Sequence, residues 1–206
     1  MKKLLNRIEY LKGRRDNLQT QISQKEKEWD EIGKTLNNVL EAQAILQRAA
    51  QDTQEKLEYY IGDMVNLALS SIFESVYNFN LTYESKRGQS EADMCLYKGD
   101  KRLNIMNDTG GGVVDIVAFA LRVASWKIRQ PFSTRSVIIL DEPFRFLSAE
   151  YQIKAGEMLT SLSKNLGLQF IIVTHSENLM DTANKVFEVT INKKKSIIND
   201  LGRKKK

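Results

Sequence analysis

The stretch Val137-Ile138-Ile139-Leu140-Asp141-Glu142-Pro143 decides how the rest of the chain is interpreted. Four apolar, mostly β-branched residues predict a buried strand, and two adjacent carboxylates stand where that strand ends. Because ligands of α/β proteins bind outside the carboxyl ends of the strands, both acids are expected at a ligand site. One carboxylate can hold a metal ion through water while the other orients an attacking water, the two tasks that nucleotide hydrolysis requires.

Composition limits the class of protein. The chain has 206 residues, of which 42% are hydrophobic, enough for one domain of moderate size and an extension. A net charge of +5 permits a nucleic-acid partner, although ordinary surface chemistry is the simpler explanation. The single cysteine, Cys95, excludes an internal disulfide and suggests a reducing compartment. No apolar run reaches the ~18 residues of a membrane span. We therefore expect a cytoplasmic protein with no membrane association.

A heptad repeat runs through the first sixty residues. Positions taken at alternating steps of four and three from Leu4 to Tyr60 are apolar in thirteen of seventeen cases, and the register never slips. Such a repeat predicts a coiled-coil helix, roughly 85 Å long. A single amphipathic helix on a globular core explains the pattern less well, because no small domain could bury so long a stripe. We expect residues 1–60 to form the coiled coil and residues 61–206 to form a globular head.

The segment between the coil and the acid pair predicts small strands followed by a helix. Three short alternating segments, separated by turn-type residues, indicate antiparallel pairing. They lie at 79–84, 92–97 and 102–105, with Arg87-Gly88 and Lys98-Gly99-Asp100 between them. The mostly apolar segment 113–128 predicts a helix buried on several sides.

The strand that carries the acid pair begins a β-α-β unit. A helix is expected over 149–166, with Ser148 as its N-cap, Glu150 in its first turn and Gly167 just past its end. The apolar segment 168–174 predicts a second buried strand, and strand, helix, strand in this order predicts parallel pairing. The remaining predicted elements are a short helix from 177, a strand at 186–191, a hairpin through 193–195 and a solvated basic tail at 203–206.

Three features follow one another in a fixed order. The glycines from Gly110 precede a helix, Asp141 lies 31 residues after Gly110, and His175 lies 34 residues after Asp141. Each alone has an ordinary explanation: glycines can form a flexible turn, an acidic strand end can meet solvent, and a lone histidine is more often structural. Glycines before a helix can also present backbone N–H groups to an anion. The sequence contains no G-x-x-x-x-G-K-[ST] phosphate loop.

Taken together, these motifs resemble the C-terminal half of an ATP-binding-cassette (ABC) ATPase head. The heptad helix that runs directly into the head is similar to the SMC and SbcC-like branch, which serves chromosome maintenance and DNA double-strand-break repair. The resemblance implies an α/β fold, with a parallel βαβ core, helices and a small antiparallel part in the C-terminal lobe of the head, plus a long N-terminal coiled-coil helix. In that family an N-terminal segment carries the phosphate loop, Walker A, and this chain resembles the C-terminal segment only.

The resemblance also implies roles at the two strand ends. Asp141, on the Walker B strand, would assist Mg²⁺ through water, and Glu142 would polarise the attacking water. His175 would be the switch histidine that contacts the γ-phosphate of ATP.

The signature loop and the D-loop depart from the family pattern. Thr109, Gly110, Gly111 and Gly112 would form the signature loop, which closes on ATP held by the opposite head of a head-to-head dimer. Thr109 replaces the usual serine and keeps a hydroxyl, whereas Gly112 replaces a polar residue. Ser148 stands at the usual aspartate of the D-loop, where it keeps the helix cap but removes a negative charge from the cross-dimer contact.

Three functional hypotheses remain open. The first is one subunit of a split ATPase of DNA repair and recombination, active only with a Walker A-bearing N-terminal half or separate subunit. That partner would also supply the antiparallel coiled-coil strand; DNA is an expected partner and a nuclease a candidate one. Stand-alone chains of this length resemble reading frames of phages and prophages. The second hypothesis is a non-catalytic coiled-coil adaptor, and the third is a nucleic-acid-binding protein that needs no nucleotide.

Overall fold

The computed structural model describes residues 1–74, 76–86, 89–130, 135–192 and 195–202. Within these residues it contains helices and both parallel and antiparallel strands, as the predicted α/β class requires. The elements in chain order are α1 (Lys2–Phe73), β1 (Asn78–Lys86), β2 (Gln89–Lys98), β3 (Lys101–Leu103), α2 (Gly111–Arg129), β4 (Val137–Asp141), α3 (Ala149–Leu166), β5 (Gln169–Val173), α4 (Glu177–Thr182), β6 (Phe187–Asn192) and β7 (Lys195–Asp200). The chain divides into two compact units, Met1–Gln54 and Glu55–Lys206, which are described in turn.

The first unit consists of the N-terminal part of α1. The predicted long helix is confirmed, and it is unbroken through this unit. Its heptad stripe is solvent-exposed, with exposed fractions between 45% at Ile8 and 81% at Trp29. Helices gain most of their stability in proteins from packing of an apolar face, so this stripe requires a covering helix.

The second unit is built around one hydrophobic cluster. The end of α1 contributes Val65, Leu69 and Ile72, which recur at helical spacing and are fully buried. Helix α2 is buried on several sides, as predicted, and covers the inner face of the sheet that contains β4. Strands β1, β2 and β3 form the predicted antiparallel sheet in that order. Of the predicted turns, the one at Gly99 is present, and Arg87-Gly88 lies outside the described residues.

The β-α-β unit forms as predicted. Strands β4 and β5 pair in parallel, with Asp141 opposite Val173. Helix α3 has the predicted bounds, and Gly167 ends it in the left-handed region at φ +62°. Because both strands run in the same direction, their carboxyl ends meet at one edge of the sheet. This pairing brings the acid pair next to the residues that follow β5.

The prediction of two buried strands holds for one face of the sheet only. Ile138 and Leu140 face the core, but Ile139 is 67% exposed and Val173 is 58% exposed. Among the described residues this sheet has two strands, and the helices that pack on it cover one face. Parallel sheets usually have both faces covered, so the described part of the chain leaves an apolar face of β4 and β5 uncovered.

The chain continues after α4 with an antiparallel pair of strands, β6 and β7. The strand predicted at 186–191 is present, whereas positions 193 and 194 of the predicted hairpin and the basic tail at 203–206 lie outside the described residues. Every residue of both strands is exposed, including Val189, Ile191 and Ile198. Isolated two-stranded hairpins are marginally stable in water, so this pair also needs a partner surface. None of the described helices is long and apolar enough to span a lipid bilayer.

Candidate functional site

The acid pair lies at the carboxyl end of β4, in a constrained loop. Asp141 is the last residue of the strand, and the Glu142 N–H donates a hydrogen bond of 2.8 Å to the Val173 carbonyl. Glu142 has φ +44° and Phe144 has φ +61°, a region that residues other than glycine rarely adopt. Phe144 is only 1% exposed and packs on Phe119 at a ring separation of 5.3 Å. The buried phenyl ring therefore anchors the strained loop that carries the acids.

The structure brings His175 to Glu142. The imidazole Nε2 lies 3.7 Å from Glu142 Oε1, and the Thr174 hydroxyl donates to Glu142 Oε2 at 3.4 Å. The His175 side chain is 99% exposed, whereas that of Glu142 is 33% exposed. A half-buried carboxylate can accept a hydrogen bond from water, and the exposed imidazole can contact a ligand on the solvent side.

Asp141 is suited to a magnesium ion that is shared with a ligand. Among the described residues, no group of three or more His, Cys, Asp or Glu side chains is arranged to hold a metal ion. Mg²⁺ is usually bound by one or two carboxylates together with substrate phosphates and water, rather than by a cage of protein ligands. One exposed carboxylate at a strand end fits that kind of site, and the ion would supply positive charge next to the phosphates.

The four residues at 109–112 lie at the start of α2. The Thr109 hydroxyl donates to the Ile105 carbonyl at 2.6 Å, and Gly110 is the N-cap residue in an extended conformation. A Cβ atom on Gly111 would lie 3.1 Å from the Phe146 ring, and one on Gly112 would lie 2.6 Å from Leu147 Cδ2. The two glycines thus let the loop after the acid pair pack onto the first turn of α2. This packing gives a physical reason for the missing polar side chain at Gly112.

Ser148 occupies the predicted N-cap position of α3, but its side chain does not cap the helix. Its backbone is extended, with φ −65° and ψ 160°, and its hydroxyl makes no capping hydrogen bond. The part of the prediction that assigned a capping role to the Ser148 side chain was therefore wrong. The backbone carbonyl of Ser148 instead accepts from the Gln152 N–H at 2.9 Å, as any residue type would allow.

Three residues that the sequence did not single out contribute to this region: Asp115, Thr174 and Gln152. Burial raises the pKa of the Asp115 carboxyl, and the Phe146 N–H and the Arg145 guanidinium partly offset that rise in pKa. Asp115 Oδ2 is buried and has no hydrogen-bond partner among the described residues. An acidic residue inside a mostly apolar helical segment was the available signal for Asp115. Thr174 and Gln152 gave none, because only the folded chain brings their partners together.

Replacing Asp115 by Asn is expected to stabilise the chain at neutral pH. The folded state binds the carboxyl proton more tightly than the unfolded state, because the pKa is raised on folding. The contribution of Asp115 to stability therefore falls as pH rises from the ordinary pKa, 3.8, through the raised pKa of the folded state. The amide does not ionise, so the gain of Asp115→Asn in thermal unfolding midpoint should be largest at neutral pH and disappear in acid.

The control for this prediction is Asp63→Asn, which changes an exposed carboxyl of α1 in the same unit. Surface substitutions of this kind usually alter the free energy of unfolding by less than about 0.5 kcal/mol. Equal midpoints for the Asp115 variant and the original chain at every pH would contradict the account of Asp115 as a destabilising buried charge.

The fold, with a long N-terminal helix followed by parallel and antiparallel strands and helices, is that of SMC head fragments that carry a coiled coil. The chain is similar in sequence to the DNA double-strand break repair Rad50 ATPase of Archaeoglobus fulgidus, at 28% identity over 142 residues. It is also similar to the chromosome partition protein Smc of Clostridium kluyveri, at 30% identity over 132 residues. The alignments cover 68% and 57% of this chain but only 15% of Rad50 and 10% of Smc, so the chain spans a small part of these curated relatives.

Solved structures of SMC heads show the same fold. A structure from work on ATP-driven dimerization and DNA-stimulated activation of SMC ATPases has a TM-score of 0.59 at 17% identity, covering 74% of this chain and 89% of that one. No protein-family model matches the sequence. The predicted resemblance to SMC-type and related ABC ATPases is thus confirmed, by modest sequence similarity and by the fold.

Proposed function

We propose that this chain is the C-terminal half of an SMC/Rad50-like ATPase that acts on DNA, with residues 1–60 as coiled coil and 61–206 as head. The observation that carries the proposal is the contact between Glu142 and His175, at 3.7 Å across two parallel strand ends. A carboxylate that can orient water and an imidazole that can contact a phosphate are the groups that ATP hydrolysis requires beside the nucleotide. The Rad50 relative is itself named for DNA double-strand break repair.

In the proposed site each residue has one task. Asp141 would hold Mg²⁺ through water, and the bound ion would supply positive charge next to the phosphates of ATP. Glu142 accepts a proton from the attacking water, and Thr174 keeps its carboxylate oriented by a hydrogen bond. His175 contacts the γ-phosphate from the solvent side.

The signature loop is proposed to act on nucleotide held by the opposite head. The backbone N–H groups of Gly111 and Gly112 lie at the positive end of the α2 dipole, which favours an anion. Thr109 and Gly110 precede them, and Ser148 lies in the neighbouring loop that would face the second head. This arrangement requires a head-to-head dimer with ATP between the heads.

The partner that carries Walker A is proposed to cover the exposed apolar face of β4 and β5. That face consists of the outward-pointing side chains of Val137, Ile139, Ile171 and Val173, which are 37%, 67%, 44% and 58% exposed. Additional parallel strands from the partner would bury it and place a phosphate loop beside the strand ends that carry the acids and His175. An antiparallel helix from the same partner would cover the heptad stripe of α1.

The test is reconstitution with a polypeptide that carries a phosphate loop followed by heptads, encoded next to this chain. The two proteins should co-purify, and the mixture should hydrolyse ATP at least about tenfold faster than the sum of the separate proteins, since neither alone has a complete site. Robust hydrolysis by this chain alone, lost on replacing Glu142, would overturn the split-site proposal.

The non-catalytic adaptor remains a second candidate, because the signature loop offers few free polar side chains. The Thr109 hydroxyl donates to the nearby Ile105 carbonyl, and Gly112 has no side chain. An adaptor would assemble with the same partner, but its acid pair would not affect turnover.

A further inference from the structure

Gln152, in the first turns of α3, forms hydrogen bonds to two separate loops. Its Nε2 donates to the Phe144 carbonyl at 3.3 Å. Its Oε1 accepts from the Ser176 hydroxyl at 2.8 Å and from Asn178 Nδ2 at 3.1 Å. A single side-chain amide thus ties the loop after β4 to the loop after β5, using donor and acceptor in different directions.

Each of these loops carries a residue of the candidate site. Phe144 lies two positions after Glu142, in the strained left-handed stretch that directs the acid. Ser176 directly follows His175, and its N–H donates to Thr174 Oγ1 at 3.1 Å. Thr174 in turn donates to Glu142 at 3.4 Å, so the hydrogen bonds and the backbone from Glu142 to Phe144 together form a closed circuit through both loops. The circuit runs from Glu142 through Thr174, Ser176 and Gln152 to Phe144.

We propose that Gln152 is a positioning residue that couples the loop of His175 to the loop of Glu142. Displacement of His175 moves the Ser176 hydroxyl, which pulls on the Gln152 amide and thereby on the Phe144 carbonyl. The Gln152 amide transmits this movement because it is partly buried. Breaking its hydrogen bond to Ser176 or to Phe144 would leave a polar group without a partner, so the loops should move together. The consequence for ATP hydrolysis rests on the proposed function, whereas the coupling between the loops does not.

The test uses the full chain and needs no partner protein. His175 is the single histidine of the sequence, so its imidazole gives one assignable set of NMR signals. Replacing Glu142 by Gln removes a charge 3.7 Å from the ring and should shift these signals. In the Gln152→Leu background the two loops are no longer tied together, so His175 should spend less time near Glu142. The same replacement should then shift the signals by less than about half as much, and this non-additivity measures the coupling.

A second variant separates the two halves of the circuit. Gln152→Glu keeps acceptor oxygens for Ser176 and Asn178 but removes the donor to Phe144. It should make amide exchange faster at Leu147, which donates to the same Phe144 carbonyl at 3.0 Å, while the new carboxylate still accepts from the Ser176 hydroxyl. Thermal unfolding of each variant establishes that the chain is folded.

The control is Asn165→Leu, which removes an amide of α3 whose hydrogen bond to a described residue is within its own helix, to Ser161 at 3.3 Å. It should leave the His175 signals and their response to Glu142→Gln unchanged. If folded Gln152→Leu shows the same full response, Gln152 does not couple the loops and the inference fails. The proposed function fails on a different result, namely unchanged ATP turnover when Glu142 is replaced in the assembled complex.

Discussion

If Glu142 is the general base of the proposed complex, the Glu142→Gln variant is expected to reduce ATP turnover by about 10²–10⁴-fold, the usual contribution of such a group. The amide matches the carboxylate in shape, and its oxygen can still accept the hydrogen bond from Thr174. It cannot take a proton from water near neutral pH, so the loss should fall on the rate of the chemical step. Steady-state phosphate release measures this rate, and nucleotide binding, measured separately, should be unchanged.

Glu150→Gln is the matched control for this variant. Glu150 lies in the first turn of α3 with a side chain 78% exposed, and its distance to Lys154 is 4.0 Å. Removing this charge should cost the helix at most a few tenths of a kcal/mol and leave turnover intact. If Glu142→Gln and Glu150→Gln turn over ATP equally well, the adaptor hypothesis is favoured over catalysis.

Local sequence patterns predicted most of the fold, because the elements concerned are specified by their own residues. The bounds of α3 follow from the helical spacing of its apolar residues and from Gly167, which ends the helix. The position of Gly167 has a positive φ, a conformation that glycine adopts without strain. The parallel pairing of β4 and β5 follows from the helix between them. The meeting of Glu142 and His175 then follows from that pairing, since both residues come after strands that end at the same edge.

What the sequence could not predict depends on contacts between distant residues. A run of apolar residues does not reveal whether one or both faces of a strand are covered, so the exposure of Ile139 required the structure. The circuit through Gln152 joins positions up to 32 residues apart, and a glutamine on a helix has no local feature that marks it. Likewise, the sequence shows Gly112 as a lost polar contact, whereas the structure shows that a Cβ atom there would force the buried Leu147 side chain to shift.

Replacing Ile139 by Asp is expected to weaken assembly with the Walker A-bearing partner by at least about a hundredfold in Kd. The free chain should tolerate the change, because Ile139 is already 67% exposed. In the complex the carboxylate would be buried without a partner, which costs about 3–5 kcal/mol, and each 1.4 kcal/mol corresponds to a tenfold change in Kd. Titration of the partner into each variant, with thermal unfolding of the free chains, measures both effects.

Ile153→Asp provides the comparison that identifies the face involved. Ile153 is 46% exposed on α3, a helix that packs on the core side of the sheet, away from the outward face of β4 and β5. The same chemical change there should leave the Kd within about threefold, since a surface substitution typically alters stability by less than 0.5 kcal/mol. Equal affinities for the two variants would place the partner elsewhere on the head. If instead the free chain associates with itself and Ile139→Asp abolishes that association, a second copy of the chain covers the outward face of β4 and β5. The two substitutions thus distinguish a sheet completed by the partner from a homodimer.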